Sequence, residues 1–257
     1  MRTGPPLLGL LAVSLAARPL LPAWRSSREV LAPPGTAHPL GTNAIGQDIA
    51  LGLLHATPNT LLVALAAAAL ATGVALAAAG LAATAPPTLR AAILRLVDAL
   101  QVLPAMLVLL FVAAFAQPGL AGLILLLGLT SWHEDVRLAL ALIRREAGRE
   151  NVHFARSMGA SWSHCLRRHV LPAIRPALAA LYVQNIRQVT LRGAGLAFLG
   201  LTDPRLPSWG SMMQEAMDHL YTPAWSWLLL PPALALTLFL LVLLALAETA
   251  PDKDAAA

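Results

Sequence analysis

Two groups of polar residues interrupt stretches that are otherwise apolar, where ionisable side chains are rare. The first is the run His133-Glu134-Asp135, which is closely followed by Arg137. On a helix, residues three or four apart are neighbours, so His133 and Glu134 can both reach Arg137. An ionisable group within a membrane span is costly unless it is paired or hydrated, and such groups often serve function. The run is therefore either a self-neutralising cluster or a transient contact for a cation or metal.

The second group repeats every four residues and consists of Gln184, Gln188 and Arg192, with Arg187 between them. This spacing places the repeating residues on one stripe of a helix. A polar stripe within a span is expected to face a translocation pathway or a partner subunit rather than lipid. A cationic pathway favours an anionic cargo, such as an acidic peptide or a carboxylate-rich metal chelate.

Other kinds of site find little support in the sequence. Cys165 is the one cysteine, so a disulfide within the chain and a cysteine-based metal cluster are excluded. The seven histidines show no ligand spacing within one element, so no permanent metal site is predicted. The sequence has no Gly-x-x-x-x-Gly-Lys-Ser/Thr motif for nucleotide binding. We expect no cofactor in this chain.

The composition is that of a membrane protein, with 58% hydrophobic and 12% charged residues. Apolar blocks such as residues 61–83 are long enough to cross a hydrocarbon core of roughly 30 Å as helices. A transmembrane barrel would instead alternate apolar and polar residues. The net charge of +5 is judged by its position relative to the spans, and it indicates no nucleic acid partner. These features predict an all-α integral membrane protein that is in contact with lipid.

Six spans within a single transmembrane domain, residues 1–257, are predicted from the apolar blocks and the prolines, glycines and charges that bound them. They cover about 6–24, 58–83, 91–116, 119–142, 174–199 and 228–248. The first block also resembles a secretory signal peptide, but we count it as a span because other long spans follow it.

Charge fixes the predicted orientation of these spans. The loop 143–173 has six arginines and only two glutamates, so the positive-inside rule places it in the cytoplasm. Because six spans alternate, both termini are then cytoplasmic, and the segments 25–57 and 200–227 lie outside. Arg2 and Lys253 fall on the cytoplasmic side, in agreement with this topology.

The cytoplasmic loop itself is predicted to be a helix, a break, and a second short helix. Gly159 is unfavourable in a helix interior, and Pro172 ends or kinks the helix before it. With its glycine and proline, this loop resembles the coupling loop of ABC import permeases, whose pattern is Glu-Ala-Ala, three residues, Gly, nine residues, Ile-x-Leu-Pro. The matching residues are Ala155, Gly159, Leu171 and Pro172, whereas His153, Phe154 and His169 replace the usual Glu, Ala and Ile.

Further motifs resemble the second permease subunit of dipeptide, oligopeptide and nickel importers, over most of residues 38–250. They are the segment from His38 to Asp48, the Asp98 to Pro104 spacing, Phe198-Leu199-Gly200-Leu201, and Pro207-Ser208-Trp209-Gly210. The chain departs from that branch in two places. Trp132 and Arg137 match the branch's pattern Trp-Pro-x-Tyr-Ala-Arg, but the residues 133–135 between them do not. At Gly193, many peptide permeases have glutamate instead.

The resemblance implies a type I ABC importer permease in the bacterial inner membrane. It would pair with a second permease subunit, two cytosolic ATPases that bind ATP and Mg, and an external solute-binding protein. The implied cargo is a small solute, which is either nickel or a metal chelate, or else a di- or oligopeptide. The absence of the glutamate at position 193 slightly favours nickel or a metal chelate. The implied ATPase-coupling residues are Ala155, Gly159, Ala160, Trp162, Leu166, Leu171 and Pro172. The expected pathway residues are Gln184, Gln188, Arg192, Arg187, His133 and Arg137.

Three alternatives remain at this point. The basic loop could simply be a membrane-skirting helix pair that fixes topology. The chain could be an ion-coupled secondary transporter, which would need discontinuous helices and a carboxylate near the bilayer midplane. It could also be an intramembrane enzyme that uses His133, Glu134 and Asp135, although consecutive helical residues point about 100° apart and do not converge on one metal.

Overall fold

A computed structural model describes residues 4–17, 19 and 21–248 as a helical membrane protein. Arg2 and Lys253, which were predicted to be cytoplasmic, lie outside this described part. The α-helices, in chain order, are α1 Gly4–Ala17, α2 Ile49–Thr84, α3 Pro87–Val102, α4 Ala105–Ala116, α5 Leu120–Ser131, α6 Val136–Ala147, α7 Glu150–Ser157, α8 Trp162–Cys165, α9 Leu171–Phe198, α10 Trp209–Glu215 and α11 Trp225–Glu248. Short 3₁₀ turns cover Trp132–Glu134 and Ala216–His219, and a π-helical turn covers Leu166–Val170.

The helix α2 lies at the centre of the fold and packs against α5, α6 and α9. Asp48 caps its start, because the carboxylate accepts a hydrogen bond from the backbone N–H of Leu51 at 3.0 Å. Its buried face is rich in alanine, which lets neighbouring backbones approach closely. On α5, Gly128 has the same effect, since a Cβ there would lie 2.7 Å from a methyl carbon of Leu70.

The second central helix is α9, and its two ends follow from local sequence. Pro172 stands in the first turn, where its missing N–H is not needed. Gly200 adopts a φ of +71° just after the helix. There the N–H of Gly200 donates to the Ala197 carbonyl and that of Leu201 to the Leu196 carbonyl, both at 3.0 Å. This pair of bonds is a Schellman motif, so Phe198-Leu199-Gly200-Leu201 is a helix stop signal.

By length and composition, two of the described helices, α2 and α11, are long and apolar enough to cross a membrane. The helices α3 and α4 would together give a third, with a bend of 73° between them. Pro104 lies at this bend, where it disfavours a helical conformation of Leu103. The predicted span 119–142 is not one continuous helix, because a 3₁₀ turn separates α5 from α6. The number of six crossings therefore stays a prediction.

The segments 21–48 and 200–224 fold together over one end of the helices, and we call them the loop cap. Thr42 is fully buried there: its hydroxyl donates to the Glu29 carbonyl at 2.6 Å and accepts from the Ala32 N–H at 2.8 Å. The His38 Nδ1 lies 2.8 Å from the Asp48 carboxylate, which also caps α2. The His38 to Asp48 motif therefore forms the structure that joins the cap to α2.

The Pro-Ser-Trp-Gly motif attaches the other half of the loop cap to α2 and α9. The Pro207 carbonyl accepts a hydrogen bond from Asn59 at 2.9 Å, and Ser208 caps α10 in a capping box. The Trp209 indole donates to Thr57 at 3.2 Å. Gly210 packs so closely on α9 that a Cβ there would lie 2.5 Å from the Ala194 carbonyl oxygen.

We predict that Gly41→Ala destabilises the protein by about 2 kcal/mol or more, because Gly41 has a φ of +79° that a side chain disfavours. The added Cβ would also lie 2.7 Å from the Ala32 carbonyl oxygen and 2.9 Å from the Trp227 ring. Thermal unfolding can be followed in detergent by the reaction of buried Cys165 with a thiol dye. The control is Gly73→Ala on α2, which has no atom within 4 Å of the new Cβ. An equal effect of both changes would contradict the prediction.

Burial raises the pKa of Glu215 above its usual 4.5, although the Asn43 hydrogen bond and nearby His219 act in the opposite direction. The folded state therefore binds the proton more tightly than the unfolded chain, and ionised Glu215 destabilises the fold at neutral pH. We expect Glu215→Gln to raise the unfolding temperature at pH 7, by about 2–4 °C per kcal/mol.

This gain should disappear as the pH falls below the folded pKa, where Glu215 is itself neutral. The glutamine retains an oxygen to accept the 3.1 Å hydrogen bond from Asn43. Asp218→Asn is the matched control, because Asp218 is exposed on the next turn. A gain for Glu215→Gln that persists unchanged at acid pH would show that the charge is not its cause.

Candidate functional site

The coupling loop has the helix, break and second helix that the sequence predicts. After α7, Gly159 adopts a φ of +90°. The N–H of Gly159 donates to the Arg156 carbonyl at 2.9 Å and that of Ala160 to the Ala155 carbonyl at 3.0 Å, which is a second Schellman motif. Ser161 then caps α8 by accepting a hydrogen bond from the N–H of His164 at 3.3 Å. The prediction of a glycine break followed by a short helix is confirmed.

One side of this loop packs on the membrane helices of the same chain. Val152, Cys165 and Val170 are buried in a core that includes residues of α2 and α6. Most of the predicted coupling residues are half-buried against this core, namely Ala155, Ala160, Trp162, Leu166 and Leu171. Their contacts attach the loop firmly to the helices above it.

The opposite side of α7 is exposed and apolar at two positions. Phe154 is 70% and Met158 76% exposed, and they are four residues apart on the helix. Trp162 and Leu166, two of the predicted coupling residues, do not share this exposed face with Met158, because both pack inward. Phe154 was not among the predicted coupling residues, although its four-residue spacing from Met158 on a polar helix indicates one shared apolar face.

Polar groups surround the exposed apolar pair. An open groove beside Phe154 is lined by Glu150, Asn151, His153 and Ser157. A second groove, next to α8, is lined by Ser161, Ser163, His164, Arg167 and Arg168. The guanidinium of Arg156 lies 5.8 Å from the centre of the Trp162 ring, which is a cation–π distance. The loop therefore presents an apolar centre with a largely cationic edge.

Arg192 joins α9 to the break between α5 and α6. Its guanidinium donates to the Glu134 carboxylate at 2.7 Å, to the Ser131 hydroxyl at 2.8 Å and to Gln188 at 3.2 Å. The bond between Gln188 and Arg192 agrees with the predicted stripe. Glu134 was expected to reach Arg137, and this expectation is wrong, because Glu134 pairs with Arg192 instead.

A second contact joins the same two elements. Asn185 is buried, and its amide donates to the Asp135 carboxylate at 2.5 Å and to Thr72 of α2 at 2.9 Å. We call Ser131, Glu134, Asp135, Asn185 and Arg192 the break cluster. These five side chains connect the interrupted span to α9.

Two further contacts join the residues around the break to α3. Arg137 forms a salt bridge with Asp98, in place of the pairing between Asp98 and Arg95 that their three-residue spacing on one helix predicts. Gln101 donates to the backbone carbonyl of His133 at 3.1 Å. The His133 ring is buried, and its Nδ1 has no hydrogen-bond partner in the described part of the chain.

The geometry separates the three residues that an intramembrane enzyme would have to bring together. Glu134 points to Arg192, Asp135 points to Asn185, and His133 has neither as a partner. The break does supply the discontinuous helix that a secondary transporter requires. Such a transporter also needs a carboxylate that can bind its coupling ion, whereas the carboxylates of Glu134 and Asp135 already bind partners on α9.

Elsewhere on α9 the predicted stripe divides into two parts. Gln184 accepts a 2.7 Å hydrogen bond from Arg187, one turn later, and both side chains are half-buried. Because Arg192 is neutralised by Glu134, Arg187 is the remaining unneutralised cation among the predicted pathway residues of this helix.

Comparison with known proteins identifies the family. Residues 69–250 match the family described as "Binding-protein-dependent transport system inner membrane component". A protein of Brucella suis biovar 1 that is named as a peptide permease is 30% identical over 211 residues, which are 82% of this chain and 70% of that protein. The oligopeptide transport system permease protein OppC of Mycobacterium bovis is 29% identical over 240 residues, which are 91% of this chain and 82% of that protein.

The di/tripeptide transport system permease protein DppC of Pseudomonas aeruginosa is 29% identical over 205 residues, which are 79% of this chain and 67% of that protein. Among solved structures, the inward-facing MetNI methionine ABC transporter matches with a TM-score of 0.63 over 78% of this chain and 94% of that chain, at 14% identity. The structural likeness shows the fold of a type I ABC importer permease. The chain therefore belongs to the family of inner-membrane permease components of binding-protein-dependent ABC importers.

Proposed function

We propose that this chain forms one half of the translocation pathway of an ATP-driven importer. A second permease subunit supplies the other half, two cytosolic ATPases bind ATP and Mg, and an extracytoplasmic binding protein delivers the cargo. The observation that carries this proposal is the two-sided coupling loop. Phe154 and Met158 are exposed on one side, and the other side packs on the chain's own core.

The exposed side of α7 is suited to a protein partner. Two large apolar residues at i and i+4 on a short helix fit the helix-in-groove mode of recognition. The surrounding arginines, among them Arg156, Arg167 and Arg168, favour an acidic edge on that partner. Because the loop is packed on α6 and α9, a partner that moves the loop also moves those helices, as alternating access requires.

The proposed orientation places this loop in the cytoplasm, where ATPases can reach it. The arginines of residues 143–173 support this side through the positive-inside rule. The loop cap then lies outside, on the side from which a binding protein delivers cargo. Both chain termini are cytoplasmic in this arrangement.

The half-buried stripe of α9 supports the proposed pathway. Gln184, Arg187 and Gln188 remain partly exposed on a helix that packs against α2, α5, α6, α10 and α11. Polar side chains at this depth are favourable beside water or a protein partner and unfavourable beside lipid. We therefore place this stripe at the pathway, where it faces the second permease subunit.

The cargo we propose is a short peptide. The similar proteins from Brucella, Pseudomonas and Mycobacterium are named as peptide, di/tripeptide and oligopeptide permeases. The neutralisation of Arg192 by Glu134 also weakens the electrostatic reason for a strongly anionic metal chelate. Nickel and metal chelates stay as the alternative cargo that the experiment must distinguish.

The function is tested with the complete importer reconstituted in vesicles. We expect ATP hydrolysis to rise when peptide-loaded binding protein is added, and labelled di- or oligopeptide to accumulate only when ATP is present. Nickel and a nickel chelate serve as the competing cargoes. Accumulation of nickel without peptide would overturn the cargo assignment, and uptake that is independent of ATP would overturn the importer.

We further predict that Phe154→Asp and Met158→Asp weaken ATPase recruitment by about tenfold or more, because a charge replaces an apolar anchor at the centre of the contact. Recruitment is measured as the ATPase that co-purifies with equal amounts of permease. Ile45→Asp is the matched control, since Ile45 is similarly exposed at 57% but lies in the loop cap. Normal recruitment by both α7 variants would exclude this face from the contact.

A further inference from the structure

The helices α6 and α9, which we call the two limbs of the coupling loop, are joined to each other at the break cluster. Residues 134 and 135 immediately precede α6, which leads into the loop, and α9 leads out of it. Two bridges connect these limbs, at 2.7 Å between Arg192 and Glu134 and at 2.5 Å between Asn185 and Asp135. Residues that are 50 and 58 positions apart are thereby held together.

Arg192 is partly buried and cannot easily replace Glu134 as its charged partner. Its side chain is 20% exposed and that of Glu134 is 28% exposed. Arginine keeps its charge at every relevant pH, so it cannot adapt to the loss of its partner by releasing a proton. A partly buried charge without its partner is strongly unfavourable. The pair therefore resists any separation of α9 from the break.

A second contact between α6 and α9 is apolar and lies at the other end of these helices, next to the coupling loop. Ile143 near the end of α6 and Ile174 near the start of α9 are buried in one core with Val152 and Cys165 of the loop. The helices α6 and α9 are consequently joined at the loop by packing and at the break by charge. A push on the loop cannot move one limb without the other while both junctions hold.

We propose that Glu134 and Arg192 are positioning residues for coupling, a latch that makes movement of the loop reach the pathway. The inference rests on the proposed function, because it assigns the pair a role within the same importer. When the latch is lost, the ATPases can still move the loop, but α6 and α9 are free to separate near the break. ATP hydrolysis then continues while less cargo is carried for each ATP.

The test measures peptide uptake and ATP hydrolysis in the same vesicles that contain the complete importer. We expect Glu134→Gln and Arg192→Gln each to lower the ratio of peptide transported to ATP hydrolysed by about fivefold or more, the lower end of usual coupling between sites. The combined exchange, Glu134→Arg with Arg192→Glu, should restore much of the ratio. Arg95→Gln is the matched control, since Arg95 is an exposed arginine on α3 that belongs to neither the break cluster nor the proposed pathway.

Each outcome decides for or against the latch. If the single variants leave the ratio of peptide transported to ATP hydrolysed unchanged, the latch is overturned. An equal fall of uptake and hydrolysis is one such result, and it would indicate a merely structural role. A changed KM for peptide at a constant ratio also overturns the latch, because it would make the pair a cargo contact. An exchange variant that remains as poorly coupled as the single variants also overturns it.

A milder variant covers the case in which the charged variants do not assemble. Ser131→Ala removes one acceptor of Arg192 and leaves no charge without its partner. We expect a smaller loss of the same ratio, and an unchanged ratio overturns the latch. If the wild-type importer shows no ATP-dependent uptake, the proposed function itself fails, so the two failures are distinct.

Discussion

The structure depends on how a broken helix is accommodated in the middle of a membrane protein. In lipid, every backbone polar group needs a partner within the protein, and a break between α5 and α6 interrupts the regular pattern. The break is supported by α3 through Gln101 and by α9 through Asn185 and Arg192, and Thr72 of α2 in turn accepts a hydrogen bond from Asn185. Breaking such a partly buried charged pair is unfavourable, because it leaves a charge without its partner. These contacts explain why α2 and α9 occupy the centre of the fold.

Both ends of the helical bundle use glycine to turn the chain. Gly159 and Gly200 have positive φ values and end α7 and α9 with the same pair of backbone hydrogen bonds. At the first turn the chain enters a short helix that packs beneath α6, and at the second it enters the loop cap. The two surfaces that meet other proteins in the proposed importer are therefore set by local turns and supported by the central helices.

The local parts of this architecture could be predicted from the sequence. Gly159 and Pro172 determine the structure of only a few residues around them, so the glycine break and short helix of the loop were predicted correctly. The ion pairs were predicted poorly. Helical spacing identifies neighbours within one helix, whereas Glu134 and Asp98 pair with Arg192 and Arg137 on other helices.

Burial was the other quantity that the sequence could not provide. Trp162 and Leu166 look like docking residues on a helical wheel, and only the packing of the loop on α2 and α6 shows that they face inward. The same packing reveals Phe154 as an exposed residue, although the family pattern has a small alanine at that position. The side of the loop that meets a partner is thus a property of the tertiary fold.

In the proposed importer, α7 presents its outer face to the ATPase while α8 holds the loop to the membrane helices. Site-specific photo-crosslinking tests this most directly, with a photoreactive amino acid placed at Met158 or at Trp162 in the assembled importer. We predict a crosslink to the ATPase from position 158 and none from position 162. A crosslink to the ATPase from position 162 and none from position 158 would show that α8, and not α7, meets the ATPase.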